Sequence, residues 1–425
     1  MYKLKEKLQK LIPVWRDEIK SIQKEYGEKV ISQVTVAQAY GGMRAVKSLI
    51  CDTSEVPPDK GLLIRGVPVK DLTDKLPEEV FWFLLTGEHP TKDELKDLQG
   101  ELVRRNNVPV YVWYVLRAMP ADSHPMAMLN TAILIMQKES VFQKRYDEGM
   151  KKDEYWDATL EDALNILAIL PTIAAGIYRM RYYKGALIQS DPKLDWAADY
   201  AHMLGIADPN GEFTKLMRLY MVLHSDHESG NVSAMSASTV NSALSDLYFS
   251  LSAGLNGLAG PLHGLANQEC LKWILETIKK FDGVPTERQL KDYAWETLNS
   301  GQVIPGYGHA VLRITDPRFD AILAFGKKYC AGSDVFDTVS RVFDVVPDVL
   351  KEVQKIKDPW PNVDAASGAL LYHYGLSEFS FYTVLFAVSR AMGVFAQAVM
   401  NRGTNMPIIR PKSVTTEWIK KEVKK

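Results

Sequence analysis

Apolar residues at Leu4, Leu8, Leu11, Ile12, Trp15, Ile19 and Ile22 recur every three or four positions, the period that lines one face of a helix. The spacing predicts an amphipathic helical arm in two parts, the second starting at Pro13 and ending near Gly27. The same period predicts helices over residues 77–86, 92–105, 126–149, 160–181, 213–223, 240–255, 268–281, 286–300, 334–356 and 378–400. Strand character is confined to 61–69, where Leu62, Leu63, Ile64 and Val67 stand among Gly and Pro. The expected class is therefore all-α with a small N-terminal β element. The least polar stretch, 162–179, is shorter than a bilayer requires and carries Asn165 and Pro171, so it reads as a buried helix. No repeat or low-complexity run divides the chain, and Pro and Gly gather at 260–264 and 358–368 as the candidate boundaries.

Composition narrows the function. With 425 residues and 46% of them hydrophobic, the chain can bury a large core. Lys and Arg number 51 against 52 Asp and Glu, so there is no global basic field for nucleic acid and any anion recognition must be local. Cys51, Cys270 and Cys330 are odd in number and far apart, which fits neither a disulfide framework nor a thiolate metal site. The first residues mix charges of both signs without an apolar leader, so a cytoplasmic protein is expected, or one of the mitochondrial matrix if a leader has been removed.

Chemistry-bearing side chains crowd into four segments. His224-Ser225-Asp226-His227-Glu228 follows an apolar helix and would put two histidines on one helix face, although the order matches no zinc-protease motif. In Gly260-Pro261-Leu262-His263-Gly264 a tight turn presents a histidine beside a helix N-terminus, where the dipole favours the neutral ring. Pro305-Gly306-Tyr307-Gly308-His309, with Arg313, Asp316 and Arg318 after it, offers close backbone approach and two guanidinium forks for an anion. Pro359-Trp360-Pro361-Asn362-Val363-Asp364 holds a carboxylate in stiff, partly apolar surroundings, either as a strengthened base or as a helix N-cap. Arg44, Arg390 and Arg410 lie in otherwise apolar or glycine-rich stretches. Together these residues suit carbonyl chemistry on a polyanion, with a neutral histidine on an enolising oxygen and a carboxylate taking the α-proton, without metal or cofactor.

These segments, in this order and spacing, resemble citrate synthase, and the likeness runs from Tyr40-Gly41-Gly42-Met43-Arg44 to Arg410-Pro411-Lys412-Ser413. It is most similar to the dimeric, mitochondrial-type branch. The resemblance implies a two-domain helical homodimer, with residues 1–264 and 376–425 as the large domain and 265–375 as a small domain that closes over the substrates. It implies Asp364 as the base on the acetyl methyl group, His263 on the thioester oxygen and His309 on the ketone of oxaloacetate. Oxaloacetate would be held by His227, Arg318, Arg390 and Phe386, with Arg410 reaching in from the partner subunit. CoA would meet Pro305, Gly306, Tyr307 and Gly308, and its phosphates Arg44, Arg313 and Lys152. The alternatives are 2-methylcitrate synthase acting on propionyl-CoA, since one methylene in a pocket is worth only about 1–3 kcal/mol, and a non-catalytic acyl-CoA-binding helical protein.

Overall fold

The computed structural model describes residues 2–309, 311–356 and 358–424. Two long helices, Tyr155–Arg181 and Tyr382–Gly403, pack against each other at its centre. Both are apolar around their whole circumference, and that pattern is stable only where every face meets protein. In the stretches that include them, 83% and 94% of the apolar window is buried, so the expectation of a buried helix near 162–179 holds. The first helix, Lys3–Tyr26, lays Leu4, Leu8 and Ile12 on this core.

A small sheet lies beside it. Ser54–Glu55 pairs antiparallel with Leu63–Ile64, which pairs antiparallel with Val67–Pro68. Arg65 and Gly66 make the hairpin turn with positive φ values of 50° and 79°, the geometry that matches strand twist. The strained Arg65 is useful elsewhere: its guanidinium donates to the carbonyls of Leu84 (2.8 Å) and Leu85 (3.1 Å) at the end of the helix Pro77–Thr86.

A second group of helices, Ala266–Phe281, Glu287–Asn299, Pro317–Tyr329, Asp334–Lys351 and Asp364–His373, packs chiefly within itself. It meets the first group through the helix Glu212–Leu223 and the short turn Val69–Leu72. The helices at 77–86 and 92–105 form where the spacing predicts them.

Several expectations are corrected. Lys3–Tyr26 runs unbroken through Pro13, which sits on an exposed face where the carbonyl of Gln9, deprived of its partner, faces water. The 126–149 pattern splits into Pro125–Ile135 and Val141–Asp147. The buried carboxylate of Asp162 accepts from Ser140 Oγ (2.8 Å) and the amides of Val141 (2.6 Å) and Phe142 (3.2 Å), which starts a new helix. The 240–255 pattern likewise splits into Val232–Ser242 and Leu247–Leu258, because Leu244 is left-handed (φ 68°) and Asp246 caps the second helix. Helices Val110–Ala118, Trp196–Leu204 and Pro317–Tyr329 have no counterpart in the predicted set.

Gly393, inside Tyr382–Gly403, lets the chain at Ser225 and Asp226 lie directly on the helix; a Cβ there would fall 2.5 Å from Asp226 Oδ1 and 2.6 Å from the Ser225 carbonyl. Gly393→Ala is expected to cost about 1–3 kcal/mol, read as a lower urea midpoint. An unchanged midpoint would contradict this packing.

Candidate active site

The helix Glu212–Leu223 stops before the first histidine, and the chain from His224 to Ser229 is irregular. His224 and His227 therefore do not share a helix face, contrary to the sequence expectation. Glu228 is left-handed (φ 49°), a conformation that must be held from outside. Asp226 supplies the hold. Its buried carboxylate accepts from Thr53 Oγ1 (2.5 Å), Ser54 Oγ (2.8 Å) and Gln397 Nε2 (2.8 Å), while the Glu228 amide donates to Ser54 Oγ (2.7 Å). The strand and the central helix thus fix the turn that carries His227. Asp226, Thr53 and Gln397 were not among the expected site residues; the one local signal was an aspartate between two histidines.

His224 is fully buried, stacks on Tyr220 at 4.0 Å, and its Nδ1 lies 3.0 Å from the Tyr220 carbonyl, which fixes the proton there. Burial, with Arg318 nearby, pushes its pKa down to about 3. His227 is also buried and is pushed well below the usual range by burial and then by Arg318 and Arg390. Both Nε2 atoms are buried without a partner. For a neutral ring such an atom is a vacancy that a ligand can fill.

Two guanidinium groups face these rings. Arg390, buried on the central helix, donates to the His224 carbonyl (3.2 Å) and to Asn231 Oδ1 (3.3 Å), and its plane lies 4.8 Å from the Phe386 ring centre. Those acceptors are neutral. Burial lowers its pKa to about 10, opposed by the charge of Asp226 and reinforced by Arg318. Arg318 is buried too, but forks onto Asp316 at 2.6 and 3.1 Å. Burial raises the Asp316 pKa, yet Arg318 holds it below the ordinary carboxylate value. Arg318 is thus bonded to a carboxylate while the hydrogen bonds of Arg390 go to neutral groups, and a buried guanidinium in that position favours an anionic ligand.

The remaining groups are poised for proton work. His263 sits in the turn between the helices Leu247–Leu258 and Ala266–Phe281. Its Nε2 meets Ser233 Oγ at 3.0 Å and the Ser233 backbone N–H at 3.4 Å. An amide N–H can only donate, so Nε2 accepts and the ring proton lies on Nδ1. The helix end facing this ring is thus that of Val232–Ser242, thirty residues earlier, and not the helix that follows it in sequence. Burial and then Arg390 lower its pKa to about 4. His309 has the opposite tautomer: Nδ1 accepts from the amides of Val311 and Leu312, both at 3.0 Å, leaving the proton on Nε2. Burial and Arg318 lower it to about 4 as well, and its ring lies 5.6 Å from that of His227.

Asp364 is the first residue of Asp364–His373. Val363 has the N-cap position; the Asp364 amide donates to Asn362 Oδ1 at 2.9 Å, and the Asp364 carboxylate caps nothing and is left for other work. Burial raises its pKa to about 6, against the pull of Arg318 and Arg390. The loop 305–308 lies alongside: Gly308 N–H donates to the Trp360 carbonyl (2.9 Å) and Tyr307 pairs with Pro361. Gly306 is needed there, because at φ 80° a Cβ would lie 2.8 Å from Ala365 Cα. Phe386 completes the wall, 5.1 Å from His224 and 6.1 Å from His263.

Other expected residues stay apart within one chain. Arg313 is exposed and folds onto the carbonyls of His309 (3.4 Å), Val311 (3.1 Å) and Leu312 (2.5 Å). Arg44, on the N-terminal arm, and Lys152, in the short turn before Tyr155–Arg181, are exposed. Arg410 is exposed on the tail, where the Ile409 amide donates to Ser242 Oγ (3.0 Å). Ser242 ends the helix whose first turn meets His263, so at 1.5 Å per residue the tail is about 15 Å from that ring. Among the described residues, no cluster of three His, Cys, Asp or Glu is arranged to hold a metal ion.

A family model for the C-terminal domain of citrate synthase matches residues 42–412. The chain is 46% identical to the mitochondrial citrate synthase of Daucus carota, over 99% of this chain and 91% of that protein. It is 48% identical to the mitochondrial 2-methylcitrate synthase of Yarrowia lipolytica, over 97% of this chain and 91% of that protein. Its fold is similar to the crystal structure of citrate synthase from Pyrobaculum aerophilum, with a TM-score of 0.79 and 28% identity, covering 91% of this chain and 95% of that one.

The geometry predicts that His263 and His309 stay neutral at pH 6, with protons on Nδ1 and Nε2 respectively. Nitrogen-15 NMR of the imidazole rings checks both; a doubly protonated ring or a shared tautomer at pH 6 would contradict the assignment.

Proposed function

Because this chain belongs to the citrate synthase family, whose reaction joins acetyl-CoA to oxaloacetate, we propose that its buried histidines, Asp364 and arginine pair carry out that condensation. The enzyme is an acyltransferase that turns the transferred acyl group into an alkyl group. One observation carries the assignment of roles: Asp364, His263 and His309, all half-buried, lie within electrostatic reach of the buried Arg318 or Arg390, the carboxylate raised to about 6 and the two imidazoles lowered to about 4.

In this reading the carboxylates of oxaloacetate pair with Arg390 and Arg318, and His227 Nε2 gains the partner it lacks. His309 donates its Nε2 proton toward the ketone oxygen and polarises the carbon beneath it. Asp364 takes a proton from the thioester methyl group while Nδ1–H of His263 stabilises the oxygen of the forming enol. Raising the carboxylate narrows the gap to the weakly acidic C–H, and the donor lowers the enol further. The enol carbon then bonds to the ketone carbon, whose oxygen collects a proton from His309, giving citryl-CoA. Water adds to the thioester carbonyl, the C–S bond breaks, and CoA thiol and citrate leave. Every step is proton transfer or charge stabilisation by these side chains, and the scheme calls for no cofactor.

The finer assignments belong to the same proposal. Residues 265–375 form the small, CoA-binding domain and 1–264 with 376–425 the large one. A homodimer is supported by exposed apolar residues on the helix Val232–Ser242 (Val232, Met235), the arm (Ile31, Tyr40) and the tail (Ile408, Trp418). In a dimer Arg410 and Lys152 serve the partner's site, while Arg44 and Arg313 take CoA phosphates beside residues 305–308. The mitochondrial relatives favour the matrix over the cytoplasmic location expected from the N-terminal residues. The Yarrowia relative keeps propionyl-CoA as the second substrate to test. A non-catalytic acyl-CoA-binding role is disfavoured by the presence of His263, His309 and Asp364 together.

Thiol release with oxaloacetate is expected to be fastest with acetyl-CoA; a preference for propionyl-CoA would reassign the substrate, and release with neither would end the synthase reading. Asp364→Asn is expected to fold, to bind oxaloacetate and to lose turnover by about 10³-fold or more. Turnover within tenfold of the parent would exclude Asp364 as the base.

A further inference from the structure

Asp364 and His309 come from different loops, yet the reaction needs them in register to a fraction of an ångström. One side chain connects the two. The Asn362 amide group donates through Nδ2 to the Gly308 carbonyl (3.0 Å) and accepts through Oδ1 from the Asp364 N–H (2.9 Å). Its own backbone N–H donates to the Gly306 carbonyl at 2.9 Å. Gly308 immediately precedes His309, so the three bonds run from the backbone of one proton-transfer group to the backbone of the other. The neighbouring bonds, Gly308 N–H to the Trp360 carbonyl (2.9 Å) and Asp316 N–H to the Pro361 carbonyl (3.1 Å), hold the loops side by side without reaching Asp364.

We propose that Asn362 is a positioning residue that sets the distance between the base Asp364 and the loop of His309, and so controls the enolisation step. The inference rests on Asp364 being the base. Several features favour it over a purely local cap. A helix cap needs only the acceptor, and Asp or Ser would supply one. The bond to Gly308 needs a donor on the same side chain, which an amide of this length provides. Gly306 and Gly308, at φ 80° and 90°, adopt left-handed conformations that turn their carbonyls toward Asn362. The Asn362 side chain bonds Gly308 and Asp364 and none of His227, Arg318 and Arg390, so loss of the strut is expected to slow proton abstraction far more than it weakens oxaloacetate binding.

The test compares Asn362→Ala, Asn362→Asp and Asp364→Asn with the parent enzyme, using acetyl-CoA bearing CH₃ or CD₃. Asn362→Asp keeps the cap oxygen but loses the donor, so it separates a cap from a strut and preserves folding if the Ala variant does not. The expected result for both Asn362 variants is a kcat lower by on the order of 10²-fold, a KM for oxaloacetate within about threefold of the parent, and a larger deuterium isotope effect. Asn362→Asp behaving like the parent would leave only the cap, and the strut would be overturned. A parallel fall in kcat, oxaloacetate affinity and thermal midpoint would make the residue merely structural and overturn it equally. If Asp364→Asn retains turnover, the base assignment itself fails, an outcome distinct from either.

Discussion

The site depends on burying a guanidinium, that of Arg390, whose hydrogen bonds go to neutral groups. Arg318 has Asp316, but Arg390 spends its hydrogen bonds on the His224 carbonyl and Asn231. Burying an unpaired guanidinium is costly, and the cost is offset when a dianion arrives. Dehydration and the guanidinium charges keep His227, His263 and His309 neutral, while dehydration, acting against those charges, leaves Asp364 a stronger base than a solvated aspartate. A single environment therefore prepares acid, base and anion site together.

That environment is held in place by scaffolding outside the proposed catalytic groups. Asp226 ties the His227 turn to Thr53, Ser54 and Gln397, so a strand and the central helix hold a left-handed residue in place. Gly393 gives this turn room against the helix, and the N-terminal turn of Val232–Ser242 sets the tautomer of His263. Three of the four site histidines are oriented by backbone groups: the Tyr220 carbonyl for His224, the Ser233 amide for His263, the Val311 and Leu312 amides for His309. Backbone partners fix a proton's location more firmly than hydroxyls, which donate or accept as needed.

Much of this was legible in the sequence, but unevenly. Glycine and proline around His263 and His309 mark turns whatever the surroundings, and helices with a strong apolar stripe, such as Lys92–Arg105, stand where periodicity puts them. Periodicity failed at 126–149 and 240–255 because the breaks are set by Asp162 and Asp246, whose side chains bond across or ahead of the pattern. It also could not show that the helix ends before His224. The link between Ser233 and His263 spans thirty residues and leaves no local trace. Arg44 and Arg410 were singled out by their sequence surroundings and Lys152 by family likeness alone; in one chain all three lie on the surface, and the roles proposed for Lys152 and Arg410 call for a second copy.

The most direct measurement of the central claim is kcat/KM for acetyl-CoA across pH 5 to 9. On the proposed roles, activity requires the carboxylate form of Asp364, whose pKa in the folded protein is raised, and histidines that are already neutral. The rate should therefore climb with pH through a single limb centred near the raised Asp364 value of about 6, then stay level. A limb centred near that of a solvated aspartate, about 4, would mean that the pocket does not dehydrate its base, and the account would fail with it.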